Sequence, residues 1–244
     1  MMCHIFINFF EENINALEYL ENGCPQSDTG GSKTLRLRKY IQMQWKAIVE
    51  TECTDNLSDG QLTLRKFEPY IRTRDPKKFY EAMIDRNFTL MRLFLIMDFD
   101  PNAVYEEKLI LVHALRADSV ESSSSMDRSD ILYNYGADID TADETHATIL
   151  HQMVRENNYR AVKWLISKEA CVNTNDINFI TPSADSLFFT DYVIANLLLE
   201  AGAIDTDAYK FAKDNGLTDA VLFIESLEDS KAYAMGFVKR LTTV

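Results

Sequence analysis

The feature that most constrains this chain is a spacing. Thr148 precedes Glu169, the start of the run EACVN, by the same interval that separates Thr181 from Gly202, the start of GAID. The two threonines stand one period apart, and Gly136 in the run ILYNYGADID precedes Glu169 by that same period. The period is about 33 residues, a length at which self-similarity marks one supersecondary unit used repeatedly. Inside the clearest period, Leu150, Met153 and Val154 recur at helical spacing. A polar break follows at Glu156-Asn157-Asn158, and then Val162, Leu165 and Ile166 mark a second helix. One such helix pair cannot bury its own apolar face, so the pairs must stack to make a core.

The residues at the fixed points resemble those of the ankyrin repeat. Thr148, Leu150 and His151 match the TPLH turn that opens an ankyrin unit, with Ile149 where Pro is usual, and EACVN is similar to the GADVN closure. Thr181-Pro182 opens the next unit, whose second helix, YVIANLLLEAGAID, is the most family-like stretch of the chain. The resemblance implies an all-α ankyrin solenoid of about five helix-pair repeats. KKFYEAMIDRNFTLMRLFLIMDFDPNA gives the first unit. Residues 109–117 and 131–140 give the second, with a long polar gap SVESSSSMDRS between its helices. AYKFAKDNGLTDAVLFIESL gives the fifth. Glycine at the closure supplies the positive φ that ends the second helix. Asp98 and Glu169 stand where that glycine is missing, so those helix ends are expected to be less favourable.

The domain expectation is an N-terminal helical region over 1–73, repeats over 74–228 and a capping helix over 229–244. Residues 1–73 do not repeat. They read as a helix over 5–20, a polar turn-forming stretch over 26–34, a helix from Leu35 with Tyr40, Ile41, Trp45, Ile48 and Val49 on one face, and a short helix after Gly60. Two readings stay open for this segment: a divergent cap on the repeats, or a separate module. The opening MMCHIFINFFEEN is apolar but has no basic segment or small-residue cleavage site, so it reads as a buried helix or strand, with a signal peptide as the lesser alternative.

Composition bounds the function. The formal charge is -13; residues 1–73 hold 8 basic and 10 acidic residues, and the remainder hold 17 and 28. Phosphate binding needs clustered Lys and Arg, so this balance disfavours nucleic acid and anionic membrane. No apolar run approaches the roughly 20 residues that span a bilayer. Cys3, Cys24, Cys53 and Cys171 lie far apart without CxxC pairing, which fits reduced, mostly buried thiols and a cytoplasmic location.

No constellation for chemistry stands out. The nucleotide-binding, zinc-protease and serine-hydrolase motifs are absent, and the acids Asp138, Asp140, Asp143 and Glu144 lack the spacing of a calcium loop. His4 follows Cys3 too closely for a ligand pair, His113 lies in an apolar helix, and His146 sits at a loop tip. The reading is therefore of no catalytic residue, no metal and no cofactor. The family resemblance implies binding of another protein through the loop tips and the concave face of the first helices, with His151 hydrogen-bonded between neighbouring loops. On that basis the tips carry Tyr105, Asp143, Glu144, Asn175, Asp176, Asn178 and Phe179, with a last tip at Asp205 to Asp207. The groove carries Gln152, Arg155, Asp185 and Phe188. Acidic tips favour a basic partner surface. Scaffold, adaptor, or an effector of a pathogen or large virus are the expected contexts. Two other readings are an enzyme whose site lies in residues 1–73, with the repeats recruiting substrate, and a structural subunit of a large assembly. The oligomeric state is not legible.

Overall fold

The computed structural model of the chain describes residues 39–40, 42–43, 69, 71–121, 125–189, 192–203 and 205–227. Most readings for residues 1–70 lie outside the described residues, including those for Cys3, His4, Cys24, Trp45 and Cys53. So do Ser122 to Ser124, the capping helix over 229–244 and the side chains of Asp205 to Asp207. The described part is mostly helical with little strand. It divides into two compact units, one ending at Ala137 and the other beginning at Asp138.

The first unit contains two helix pairs joined by a hairpin. Helix α1 (Pro76–Ile84) starts where Asp75 Oδ1 accepts the Lys77 amide at 2.9 Å and Pro76 occupies the first helical position. Helix α2 (Phe88–Ile96) is capped by the Asn87 side chain accepting the Leu90 amide, and it buries Leu90, Met91 and Leu93 to Ile96. Phe79 of α1 ties the pair together, stacking on Phe99 at 4.3 Å and meeting Phe94 edge-on at 5.7 Å. Ile71 is buried in the same unit, and the Gln42 side chain donates to the Ile96 carbonyl. Residues before the first helix pair therefore touch it.

Strands β1 (Val104–Tyr105) and β2 (Lys108–Leu109) form the hairpin that leads into α3 (Ile110–Val120). Its two turn residues, Glu106 and Glu107, both have positive φ, as a tight hairpin of this length requires. Helix α4 (Asp127–Asn134) completes the second pair. The polar gap is shorter than its sequence predicts, because α3 continues through Ser119-Val120 and α4 begins before Arg128-Ser129. The cause is a buried polar network. The Arg128 guanidinium donates to Asp118 at 2.9 Å and to the Met83 carbonyl at 2.8 Å, and it pairs with Glu121 at 2.6 Å. Asp118 also accepts the amide and hydroxyl of Ser129.

The second unit is built from helices α5 (Ile149–Arg155), α6 (Tyr159–Ser167), α7 (Pro182–Ser186), α8 (Val193–Glu200) and α9 (Asp205–Asp214), followed by helical residues 218–227. Helix α5 packs on α6, and α7 packs on α8. First helices also stack in sequence, α5 on α7 and α7 on α9, while α6 stacks on α8. Thr148 and Thr181 cap their helices alike, each hydroxyl accepting the amide at the third helical position. Ile149, Leu150, Met153, Val154, Val162 and Leu165 are fully buried between them. Farther along, Leu187, Ala195, Ala208, Ala212, Ala220 and Ile224 form a core of small side chains.

The closures keep the register in backbone conformation as well as in sequence. Asp98, Gly136, Glu169 and Gly202 all take positive φ, at 64°, 95°, 65° and 94°. Asp98 and Glu169 thus adopt the left-handed turn without the glycine that favours it.

Candidate tip and inner-helix surface

Two loop tips in the second unit are copies of one another. Asp143 Oδ1 accepts the amides of Thr145 and Ala147, and Asp176 Oδ1 accepts those of Asn178 and Ile180, at matching offsets along the chain. Each tip closes through a backbone pair, Asp143 with Ala147 and Asp176 with Ile180. The two loops are joined where the Ile177 amide donates to the Thr145 carbonyl at 2.8 Å. His151 makes a second join. Its Nε2–H donates to the Ile180 carbonyl at 3.0 Å, while Nδ1 accepts from Thr148, which sets the neutral tautomer.

An ion cluster locks the second tip. Arg155, at the end of α5, donates to Asp176 at 2.7 Å and to Asp185 of α7 at 2.6 Å. Both carboxylates are buried. Burial alone would raise the Asp176 carboxyl, but the amides of Ile180 and Asn178 together with Arg155 hold it below the ordinary carboxylate value. Asp143 behaves similarly: its hydrogen bonds from Thr145 and Ala147 outweigh desolvation and lower it. At Asp185 desolvation wins against Arg155 and the carboxyl is raised. His151 is lowered, because desolvation of its ring outweighs the Ile180 carbonyl and the nearby Asp185.

These contacts sort the residues expected from sequence. Asp176 and Asp185 face inward, and Arg155 spans the gap between them. Glu144, Asn175 and Asn178 are exposed, and Asp143 is exposed with one oxygen committed to its own loop. Gln152 is half-buried, its amide 3.5 Å from Asp143 Oδ2. Phe179 is 85% exposed at the tip, and Phe188 is 57% exposed with its ring edge-on to Phe211 at 5.5 Å. Tyr105 belongs to the first unit, where it packs on Tyr80 at 4.8 Å and its carbonyl accepts from His113. Burial and the adjacent Glu106 raise its hydroxyl. Ile177 falls within the tip expected from Asn175 to Phe179, but the sequence reading does not single it out as a contact; it is 57% exposed, and an apolar residue close to an exposed aromatic in a polar loop was the available signal.

Among the described residues no three His, Cys, Asp or Glu side chains gather as a metal site would, and no helix is long and apolar enough to cross a membrane. In the second unit, helix pairs stacked first on first and second on second, with tips joined by a backbone bond, are the arrangement of a helical repeat. The ankyrin-repeat family model matches residues 145–177, so this stretch of the chain is an ankyrin repeat. That repeat is a protein–protein interaction motif, and its family is typically non-enzymatic. No curated protein matches the chain.

Proposed function

We propose that this chain is a binding module that holds a partner protein through its loop tips and first helices, and carries out no chemistry itself. The observation that carries this reading is the exposure of Ile177, Phe179 and Phe188 at the end of the ankyrin match and just beyond it, where two of the three are aromatic, the residue type that anchors protein interfaces. Acids dominate the same region. Residues 138–189 hold eight Asp and Glu against four Lys and Arg, which favours a basic protein surface over nucleic acid. The constant period from Gly136 through Glu169 to Gly202 supports one array of about five repeats. The contact of Gln42 with Ile96 supports a capping role for residues before the repeats. The free, exposed thiol of Cys171 accords with a reducing, cytoplasmic setting. Scaffold, adaptor and effector are three settings of the same binding act.

The test places a photo-crosslinking amino acid in the full chain at Gln152 or Phe188 on the first-helix side, and at Lys163 on the exposed side of α6. Specific crosslinks to one protein from 152 and 188, and none from 163, are expected. Crosslinks confined to 163 would overturn the reading and favour a structural subunit packed through its outer helices.

A further inference from the structure

Phe179 occupies a backbone position that a bulky side chain normally avoids. Its φ is 61°, and the equivalent position one period earlier, His146, has φ 59°, so the tip geometry demands the left-handed region wherever it recurs. An aromatic here is stereochemically unfavourable, and its ring gains nothing from burial in return, being 85% exposed. The loop beneath it is nonetheless held rigidly. Asp176 fixes the amides of Asn178 and Ile180, Arg155 fixes Asp176, and Thr145 fixes Ile177. The result is an exposed, preorganised apolar finger of Ile177 and Phe179, which would lose little freedom on binding.

Charge tells what the finger meets. The adjoining tip presents Asp143 and Glu144, both exposed, while Arg155, the cation bonded to Asp176 in the same tip, is already paired with two buried carboxylates. The remaining basic residues of this stretch, Arg160, Lys163 and Lys168, lie on α6 or at its end. We propose that Ile177 and Phe179 insert into an apolar cleft on a folded protein partner, and that Lys and Arg side chains at the rim of this cleft face Asp143 and Glu144. A projecting ring calls for a concave site, which a folded domain supplies and an extended peptide does not. This rests on the binding reading above and deepens it by naming the complementary surface.

The experiment puts p-benzoylphenylalanine at position 179 of the full chain, alongside the arms at 152 and 188, and maps the crosslinked residues on the captured protein. A crosslink from 179 into an apolar cleft rimmed by Lys or Arg is expected. Phe179→Gly and Phe179→Asn should each weaken binding of that protein by about 30-fold or more, as loss of an anchor does. Both residues accept the left-handed conformation, so the thermal midpoint should hold or rise. Asp143→Asn with Glu144→Gln should slow association several-fold at low salt and have little effect at high salt. Crosslinks from 152 and 188 without one from 179 would sink the finger and leave the binding reading standing. A crosslink from 179 to a cleft without basic residues, or to an extended segment, overturns the proposal, as does a fall in thermal midpoint in both variants. Silence at all three positions removes both readings.

Discussion

The left-handed positions show how a single residue can be right for the architecture and wrong for its own backbone. Glu169 closes α6 with φ 65°, where Gly202 closes α8 with φ 94°. The missing glycine was legible from the repeat register, and so was its consequence, because the closure needs that conformation whichever residue stands there. Glu169→Gly should raise stability by about 0.5–1 kcal/mol, the αL strain relieved being partly offset by a more flexible unfolded chain. The reverse change is cleaner. A Cβ at Gly202 would meet nothing within 4 Å, so Gly202→Ala should cost about 1–2 kcal/mol through φ alone. Urea denaturation midpoints of the two variants measure both, and shifts of equal sign would contradict the account. Asp176 was harder to read. An acid in a polar loop looks like a contact residue, and only the amides of Asn178 and Ile180 reveal that it builds the loop.

At the scale of elements, the helix pair α3–α4 is where sequence and structure part. The run SVESSSSMDRS carries no apolar periodicity, so its ends read as loop, yet Ser119-Val120 and Arg128-Ser129 are helical. Polar residues can sit in a helical interior when they satisfy one another, and periodicity of apolar residues is blind to that arrangement. Asp118, Arg128 and Ser129 are all buried, joined by the Arg128–Asp118 bond and the two Ser129 bonds to Asp118. Removing Arg128 leaves Asp118 buried without its cation, whereas removing Asp118 leaves Arg128 still paired with Glu121. Arg128→Ala should cost about 3–5 kcal/mol and Asp118→Ala less, whereas Asp118→Leu combined with Arg128→Met should cost much less than the sum of the singles. A double-mutant cycle by urea denaturation decides it. Additive losses would mean that the two side chains do not act as a pair. The α5–α6 pair, in contrast, was legible almost residue for residue, because Leu150, Met153, Val154, Val162 and Leu165 combine helical spacing with complete burial.

For the molecule as a whole, the consequence of these local arrangements appears in its response to acid. The chain carries a formal charge of -13, so lowering the pH first relieves self-repulsion, and a naive expectation is that mild acid stabilises it. His151 works in the opposite direction. Buried and lowered from 6.5, it stays neutral in the folded state over a range where the unfolded chain already binds a proton. Stability from this group is therefore intact above about pH 6.5 and declines as the pH falls towards the folded value. Asp185, raised by burial, partly offsets the decline as it takes up its proton at a higher pH than in the unfolded chain. Asp143 and Asp176, both lowered, keep their contributions until the pH drops below the ordinary carboxylate value, and then they too are lost. The expected profile is a plateau near neutrality, a first decline below about 6.5 that belongs to His151, and a steeper one in the carboxylate range. His151→Gln separates the first decline from the rest. It should lower stability at neutral pH, because Thr148 and the Ile180 carbonyl lose their partner, and it should remove the dependence between 6.5 and the carboxylate range. Urea midpoints measured across that range give the answer. A variant that retains the wild-type slope there would show that the proton is taken up elsewhere, and that the join between the two tips is not what limits this protein in acid.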